Sequence, residues 1–456
     1  MRRNISEYIL RLVFLFFIFW AIPSFAQVLV DTAWVRRYNG LGNGNDWGVA
    51  LGLDGKGNLY VSGESEGAGT SSDYVTIKYN PSGDTLWVRR YNGPANSVDK
   101  AYALAVDVSG NVYVTGESED KETKSDYATI KYDPSGEVLW TKRYDGGGKG
   151  LDKAYALTLD QRGNVYATGE SEGKGTGPDY VTIKYNGDGD TLWIRRYAGS
   201  GNSVDKAYAL AVDSSGNVYV TGQSGSGAGA DYATIKYDAS GDQLWVKRYN
   251  GVGNAMDKAY ALGLDAKENV YVTGFSFGNG TDKDYVTIKY NPRGDTLWVK
   301  RYNGPGNGLD WARALKLDAT GNLYVTGQSY NKGSGSDYAT IKYNRNGDTL
   351  WVRRYEGPGN HNSWDLAHAL ALDDSGNVYV TGESQGRGSD LDYATVKYDS
   401  AGNLLWVQRY NGPANSIDNA FAIAVDDSGN VYVTGFSYGK GIGSDCVTIK
   451  YKQTGR

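Results

Sequence analysis

Residues 205–249 read DKAYALAVDSSGNVYVTGQSGSGAGADYATIKYDASGDQLWVKRY. Four runs in this stretch alternate residue types with period two and are rich in Val, Ile, Thr, Tyr and Trp. Gly, Asn, Asp and Ser separate them, so the stretch predicts four short antiparallel strands. The stretch recurs along the chain. Its opening aspartate returns at Asp46, Asp99, Asp152, Asp205, Asp257, Asp310, Asp365 and Asp418, at spacings of 53, 53, 53, 52, 53, 55 and 53 residues. A four-stranded unit at that period is the pattern of propeller blades. The expected fold is therefore all-β: an eight-bladed β-propeller of four-stranded antiparallel blades.

The first 26 residues stand apart from the repeat. Arg2, Arg3 and Arg11 precede an apolar run from Leu12 to Ile22, and Ser24-Phe25-Ala26 offers small residues for a signal peptidase. A signal peptide over 1–26 is expected, with Gln27 starting a single propeller domain over 27–456. The alternative is an uncleaved membrane anchor, for which the run is short. The protein is thus expected to be exported, secreted or associated with the cell envelope, with no membrane span after cleavage. Cys446 is the single cysteine, so no intramolecular disulfide forms. The formal net charge of −5 is spread along every repeat without a basic face, which argues against nucleic acid as a partner.

The AYAL run reads as the innermost strand of each blade, GNVYVTG as its hairpin partner, DYATIKY as the third strand and LWVKRY as the outermost. On that assignment the chain begins with an outermost strand, Ala33–Tyr38, and ends with a third strand, Val447–Tyr451. The two ends complete one blade, and the N-terminal strand closes the ring. Thirty-five of the 38 tyrosines and eight of the 12 tryptophans fall at shared strand positions. They are expected to be core, packed between blades.

Through GNVYVTG and the DYATIKY strand the chain resembles the short bacterial β-propeller repeats called SBBP. That resemblance implies the fold and exported or surface proteins of unassigned activity. A second resemblance is to eight-bladed quinoprotein propellers, whose docking motif sets a Trp four residues after a Gly; Gly83 to Trp87, Gly241 to Trp245 and Gly294 to Trp298 share that spacing. In those proteins the motif is a structural latch. Their enzymes add an adjacent Cys pair, so cofactor chemistry is not implied here.

No nucleophile elbow is present, and His361 and His368 lack the third ligand of a zinc site. Neither a catalytic residue, a metal nor a cofactor is expected. The repeated aspartates either ring the mouth of the channel as a cation site or cap their own loops by accepting backbone N–H groups, and capping is the stronger reading.

Departures from the repeat carry the functional reading. After the repeated aspartate, blades two to five carry Lys100, Lys153, Lys206 and Lys258, whereas blades six, seven, eight and one carry Trp311, Leu366, Asn419 and Trp47. Aromatic residues outside shared positions include Trp47, Trp311, Trp364, Phe275, Phe277, Phe436, Tyr438 and Tyr330. All fall in the links from strand four to one or from strand two to three, which alternation places on one face. The expected ligand site comprises Trp47, Trp311, Trp364, His361, His368, Tyr330, Phe436 and Tyr438. The expected function is a non-catalytic binding or scaffold module, a monomer recognising a polysaccharide or a surface or secreted protein. A propeller lyase or hydrolase, and a purely structural assembly module, are the alternatives; a deep pocket at His368, as against a shallow aromatic plate, separates the first of these from the binding reading.

Overall fold

The computed structural model describes residues 29–200, 203–359, 363–441 and 443–454. The signal-peptide segment and His361 lie outside the described residues. Within them are 32 strands, numbered β1 to β32 in chain order, and one short 3-10 turn, Gly227–Gly229. The first full unit shows the pattern: β2 (Asp46–Leu53), β3 (Leu59–Glu66), β4 (Ser72–Tyr79) and β5 (Thr85–Tyr91) form an antiparallel sheet in that order.

The sheets number six of four strands and one of eight. The larger one is two such units joined by a short parallel bridge, Gly335 to Ser363 and Ser336 to Trp364. The last unit is completed by the start of the chain, because β1 (Leu29–Tyr38) pairs antiparallel with β32 (Ser444–Thr454) from Leu29–Thr454 to Tyr38–Cys446.

Turn chemistry fixes each hairpin. Between β2 and β3, Asp54 Oδ1 accepts the backbone N–H groups of Lys56 and Asn58, both at 2.9 Å, and Oδ2 accepts the Asn58 amide at 2.7 Å. An aspartate that satisfies its own turn in this way favours the turn over competing conformations.

Both faces of every sheet are buried against neighbours, and the core lies between units. Tyr60, Tyr74 and Trp87 of the first unit pack with Val112, Val114, Ala128 and Ile130 of the second. Trp34 on β1 and Tyr432 of the last unit pack with Leu59, Val61 and Ile77 of the first. Polar contacts cross each seam as well. Tyr74 Oη donates to the Ala128 carbonyl at 3.0 Å, and Trp87 Nε1 donates to the Pro134 carbonyl at 3.2 Å.

Seven of the eight outermost Trp residues follow a Gly by four positions, and six of those glycines lie against the Trp of the unit before. At Gly83, φ is +85° and any Cβ would lie 2.8 Å from the Trp34 ring. Only glycine meets both demands.

Eight first strands stand side by side: β2, β6 (Asp99–Val106), β10 (Asp152–Leu159), β14 (Asp205–Val212), β18 (Asp257–Leu264), β22 (Asp310–Leu317), β26 (Ser363–Leu372) and β30 (Asp418–Val425). Each packs on the next, and β2 packs on β30. The aspartate that opens the repeat is buried in all eight, at 0–1% exposure. Its Oδ2 accepts the N–H of a loop glycine, Gly40 to Asp46 at 2.8 Å and Gly93 to Asp99 at 2.7 Å among them. These residues organise their own loops, as the capping reading expected.

Candidate functional site

Every first strand carries a β-bulge at the same place. The register slips between Gly48 and Ala50 in β2, between Ala101 and Ala103 in β6, and at the matching pair in each of the other six. A bulge inserts one residue that has no partner across the ladder and re-aims its side chain. The inserted residues are Val49, Tyr102, Tyr155, Tyr208, Tyr260, Arg313, His368 and Phe421. All eight line one cavity of about 580 Å³. The four tyrosines among them were expected in the core between blades. The structure corrects this: the bulge turns them out of the alternating pattern and into the cavity.

The cavity wall has two unlike halves. Along the second to fifth units the rings of Tyr102, Tyr155, Tyr208 and Tyr260 follow one another at centroid distances of 5.5, 5.6 and 5.2 Å. Three of the four hydroxyls are engaged at the rim: Tyr102 donates to Glu117 at 2.5 Å, Tyr155 to Glu170, and Tyr208 to Gln223 at 3.3 Å. What this half offers a ligand is therefore mainly ring surface.

The other half mixes the apolar Val49, Phe421 and Trp47 with two polar side chains that lack hydrogen-bond partners, Arg313 and His368. The Arg313 guanidinium lies 4.0 Å above the Trp311 ring and has no ion pair or hydrogen bond among the described residues. His368 Nε2 likewise lacks a hydrogen bond and stands 4.0 Å from Glu383 Oε1, both side chains being nearly buried at 13% and 10% exposure. Asn419 donates its amide to Glu383 Oε2. Buried polar groups without partners cost free energy that a bound ligand recovers.

Burial pushes the Glu383 carboxyl up to about 7, against the opposing pull of Arg313 and the Asn419 hydrogen bond, with Asp390 adding to the rise. Burial, reinforced by the Arg313 charge, holds the His368 imidazole down to about 3, so it is neutral at pH 7. The unfolded chain releases the Glu383 proton near its ordinary value, whereas the folded chain keeps it to about 7. This contribution to stability is complete below about pH 4.5 and disappears as pH rises through 7. Wild-type protein is therefore expected to lose on the order of 2–3 kcal/mol between pH 4.5 and 8 from this group. Chemical denaturation across that range checks it: Glu383→Gln should flatten the decline by that amount, and an unchanged slope would refute the assignment.

Above the cavity, side chains of adjacent units pair around the rim. Lys100 meets Glu64 at 2.9 Å, Lys153 meets Glu117 at 2.8 Å and Lys206 meets Glu170 at 2.7 Å. At the next such position Gln223 replaces the glutamate, and Lys258 has no ion pair among the described residues. Burial lowers the Lys258 pKa, and the charges of Lys206 and Lys283 lower it further. Beyond Lys258 the rim becomes aromatic. Phe275 and Trp311 meet edge to face at 5.4 Å, with Lys283 Nζ 4.7 Å from the centroid of Phe275.

The residues singled out from the sequence divide into three groups. Trp47, Phe436 and Tyr438 form one packed cluster: Trp47 stacks on Phe436 at 5.0 Å, Tyr438 meets Phe436 edge-on at 5.9 Å, and Trp47 Nε1 donates to Ser444 Oγ at 2.9 Å. Trp311 belongs to the second cluster with Phe275 and Tyr260. Trp47 and His368 line the cavity. Trp364 is 60% exposed at the start of β26, away from the cavity lining, and Tyr330 packs over Gly306 and Gly308 in its own unit.

Sequence reasoning missed Arg313, Glu383 and the tyrosine wall. The signal was present three residues after each repeated aspartate, where four tyrosines give way to Arg313, His368, Phe421 and Val49 in the same four units whose other departures had been noticed.

One acidic group lies elsewhere. Asp126, Asp145 and Asp152 bring carboxylate oxygens within 4.8 Å of one another. Arg143 pairs with Asp126 at 2.8 Å and the Gly146 N–H binds Asp152, so this group belongs to a seam between units.

A chain of repeated four-stranded antiparallel blades with a shared cavity is a protein of the β-propeller class. More particularly, it carries SBBP repeats: the family model for this β-propeller repeat matches residues 86–120, 192–227 and 405–443. The uncharacterized WD repeat-containing protein L264 of Acanthamoeba polyphaga mimivirus is 23% identical over 471 residues, 79% of this chain and 31% of the relative. The chain thus spans about a third of that relative's length. Among solved structures, Sqt1 of Chaetomium thermophilum bound to the N-terminus of ribosomal protein L10 aligns with a TM-score of 0.60 at 8% identity, covering 93% of this chain and all of that one. The polysaccharide lyase Uly1 aligns with a TM-score of 0.47 at 12% identity over 80% of this chain and 92% of that one. Among the described residues no helix is long and apolar enough to cross a membrane.

Proposed function

We propose that the eight units close into one ring, an eight-bladed propeller, and that the protein is an exported, non-catalytic binding module. Its ligand is a polysaccharide that docks on the face carrying the longer links and inserts one sugar unit into the shared cavity. The observation that carries this reading is the convergence of all eight bulged side chains on a single pocket, lined mostly by aromatic and apolar side chains with the unpartnered Arg313 and His368 among them. A concave site of roughly 300–1,000 Å³ with a few convergent polar groups is the usual form of a small-ligand pocket. The packing of β2 on β30 supports closure. Export rests on the charged and apolar pattern of the first 26 residues.

A glycan array screened alongside a pull-down of surface proteins tests the reading. Glycan binding is expected, with Tyr155→Ala weakening it about tenfold and Trp364→Ala leaving it unchanged. Protein capture with no glycan signal would replace this reading by that of a protein scaffold.

A second reading is favoured by the criterion set out from the sequence, because His368 lines a cavity and not a shallow plate. His368 and Arg313 line it together, and Glu383 Oε1 stands 4.0 Å from His368 Nε2, as a propeller lyase or hydrolase would require. Incubating a uronate-containing polymer with the protein and following ultraviolet absorbance and reducing ends for cleavage products tests for that activity.

A further inference from the structure

We infer that the seam between the seventh and eighth units is a second binding site, and that its ligand is a β-turn bearing a basic residue, presented by a partner polypeptide. The site is separate from the cavity, and its failure would leave the saccharide reading untouched.

The other seven seams show what such a site receives. At each of them the indole N–H of the outermost Trp and the ammonium group of the Lys opposite it in the ladder donate to one carbonyl, in the turn that joins the third and fourth strands of the next unit. Trp87 and Lys78 share the Pro134 carbonyl at 3.2 and 2.9 Å, and Trp34 and Lys450 share that of Pro81 at 3.3 and 3.0 Å. The same arrangement recurs for Trp140, Trp193, Trp245, Trp298 and Trp351.

In the eighth unit the third and fourth strands are β32 and β1, which lie far apart in the chain, so no turn joins them. Trp406, the outermost Trp that faces this unit, is 7% exposed, and its Nε1 has no hydrogen-bond partner. Lys397, opposite Trp406 in the ladder, donates instead to the Gln453 side chain at 2.5 Å. A buried donor left unpaired costs free energy that an incoming carbonyl recovers.

The place of the turn is open. Elsewhere the turn lies over the glycine of the first hairpin of its own unit: a Cβ on Gly57 would lie 3.6 Å from Pro81, and one on Gly110 3.7 Å from Pro134. The matching Gly429, together with Lys397 and Leu405 of the seventh unit, lines a pocket of about 520 Å³.

Charge marks the same seam. The second residue of that first hairpin is uncharged in units one to six, but it is Asp374 in the seventh and Asp427 in the eighth. Both are exposed, line the pocket and form no ion pair among the described residues. Their neighbours Asp373 and Asp426 are taken up by N–H groups of their own turns. Complementarity therefore selects a turn that carries Lys or Arg. A second copy of this chain does not supply it, because all seven of its turns of this kind are docked in their own seams.

Fluorescence anisotropy of labelled, cyclised peptides on the folded full-length protein tests the inference. The probes are residues 290–296, YNPRGDT, and residues 79–85, YNPSGDT, which differ only by Arg293 against Ser82. The first should bind, about threefold or more tightly than the second. Its Gly294→Val form should not bind, because that glycine has φ of +84° and in its own seam a Cβ would lie 3.0 Å from the Trp245 ring. Trp406→Phe keeps a ring and removes an N–H that bonds nothing in the fold, and should weaken binding about tenfold. Asp374→Asn combined with Asp427→Asn, both on the surface, should make the two peptides equal.

No binding of either peptide, or binding indifferent to both sets of substitutions, would overturn the inference, and equal binding by the wild-type protein would overturn the basic class of ligand. Binding that appears only after removal of residues 455–456 would assign the pocket to the chain's own end, and dimers lost on Trp406→Phe would assign it to a second copy; either result would overturn the partner assignment.

Discussion

A chain that begins at Asn39, lacking β1, is expected to lose cooperative folding at ordinary temperature, and a synthetic peptide of residues 29–38 added in trans is expected to restore it. Three contributions leave with that strand. Trp34 is 8% exposed and fills the seam between the last and first units; losing a buried Trp of this kind costs roughly 3–5 kcal/mol. Arg37 joins Asp445 at 2.7 Å and donates to Ser437 and Tyr410, and losing these half-buried contacts adds about 1–2 kcal/mol. Tyr38 accepts a hydrogen bond from Arg90 of the first unit. The sum approaches the 5–15 kcal/mol that holds a typical domain together. Thermal unfolding followed by near-ultraviolet circular dichroism checks it. A truncated protein with an unchanged transition would show that β1 does not complete the last sheet in solution.

Substituting Arg143 by Met should cost about 3 kcal/mol, although its head group lies near the surface and Met keeps most of its apolar stem. Arg143 donates to Asp126 at 2.8 Å, to Ser118 Oγ at 2.5 Å and carbonyl at 3.1 Å, and to Tyr91 Oη of the preceding unit at 3.1 Å. It therefore ties three strands of one sheet to the outermost strand of the next. Without it, Asp126, whose side chain is 7% exposed, keeps a charge with no cation beside it. By contrast Glu137→Ala, which removes a partner of Arg89 that is 76% exposed, should change stability by less than about 0.5 kcal/mol. Urea denaturation of both variants separates the two cases. Equal effects would mean that the seam hydrogen bonds contribute nothing beyond surface ion pairs.

The strands were legible in the sequence because alternation with period two over Val, Thr, Tyr and Ile has one physical meaning, an extended strand whose successive side chains face opposite sides of a sheet. The loop role of Asp46 and its seven equivalents was legible too, since a short carboxylate beside glycine-rich turns has backbone N–H groups within reach. The pairing of Ala33–Tyr38 with the last strand followed from counting strands.

The cavity was not legible. Ala-Tyr-Ala reads as ordinary alternation, and nothing in those three residues marks the one-residue bulge that turns Tyr102 and its equivalents out of the core. The rim pairs were hidden for another reason. Lys100 and Glu64 belong to different units, and no local pattern joins them. The aromatic departures, expected in the links, lie instead at the ends of the first and second strands, where the ladders run further than the turn residues suggest, and their mutual packing depends on which units adjoin. Thus Trp47 stacks on Phe436 from the opposite end of the chain.

The inserted residue of each first strand stands outside the cross-strand ladder, while the seams are built from other positions. Exchanging one inserted side chain therefore alters what the pocket recognises without disturbing what holds neighbouring sheets together. A lineage that swaps units can therefore vary the pocket with the ladders intact, the four tyrosines changing as one set because each ring touches the next.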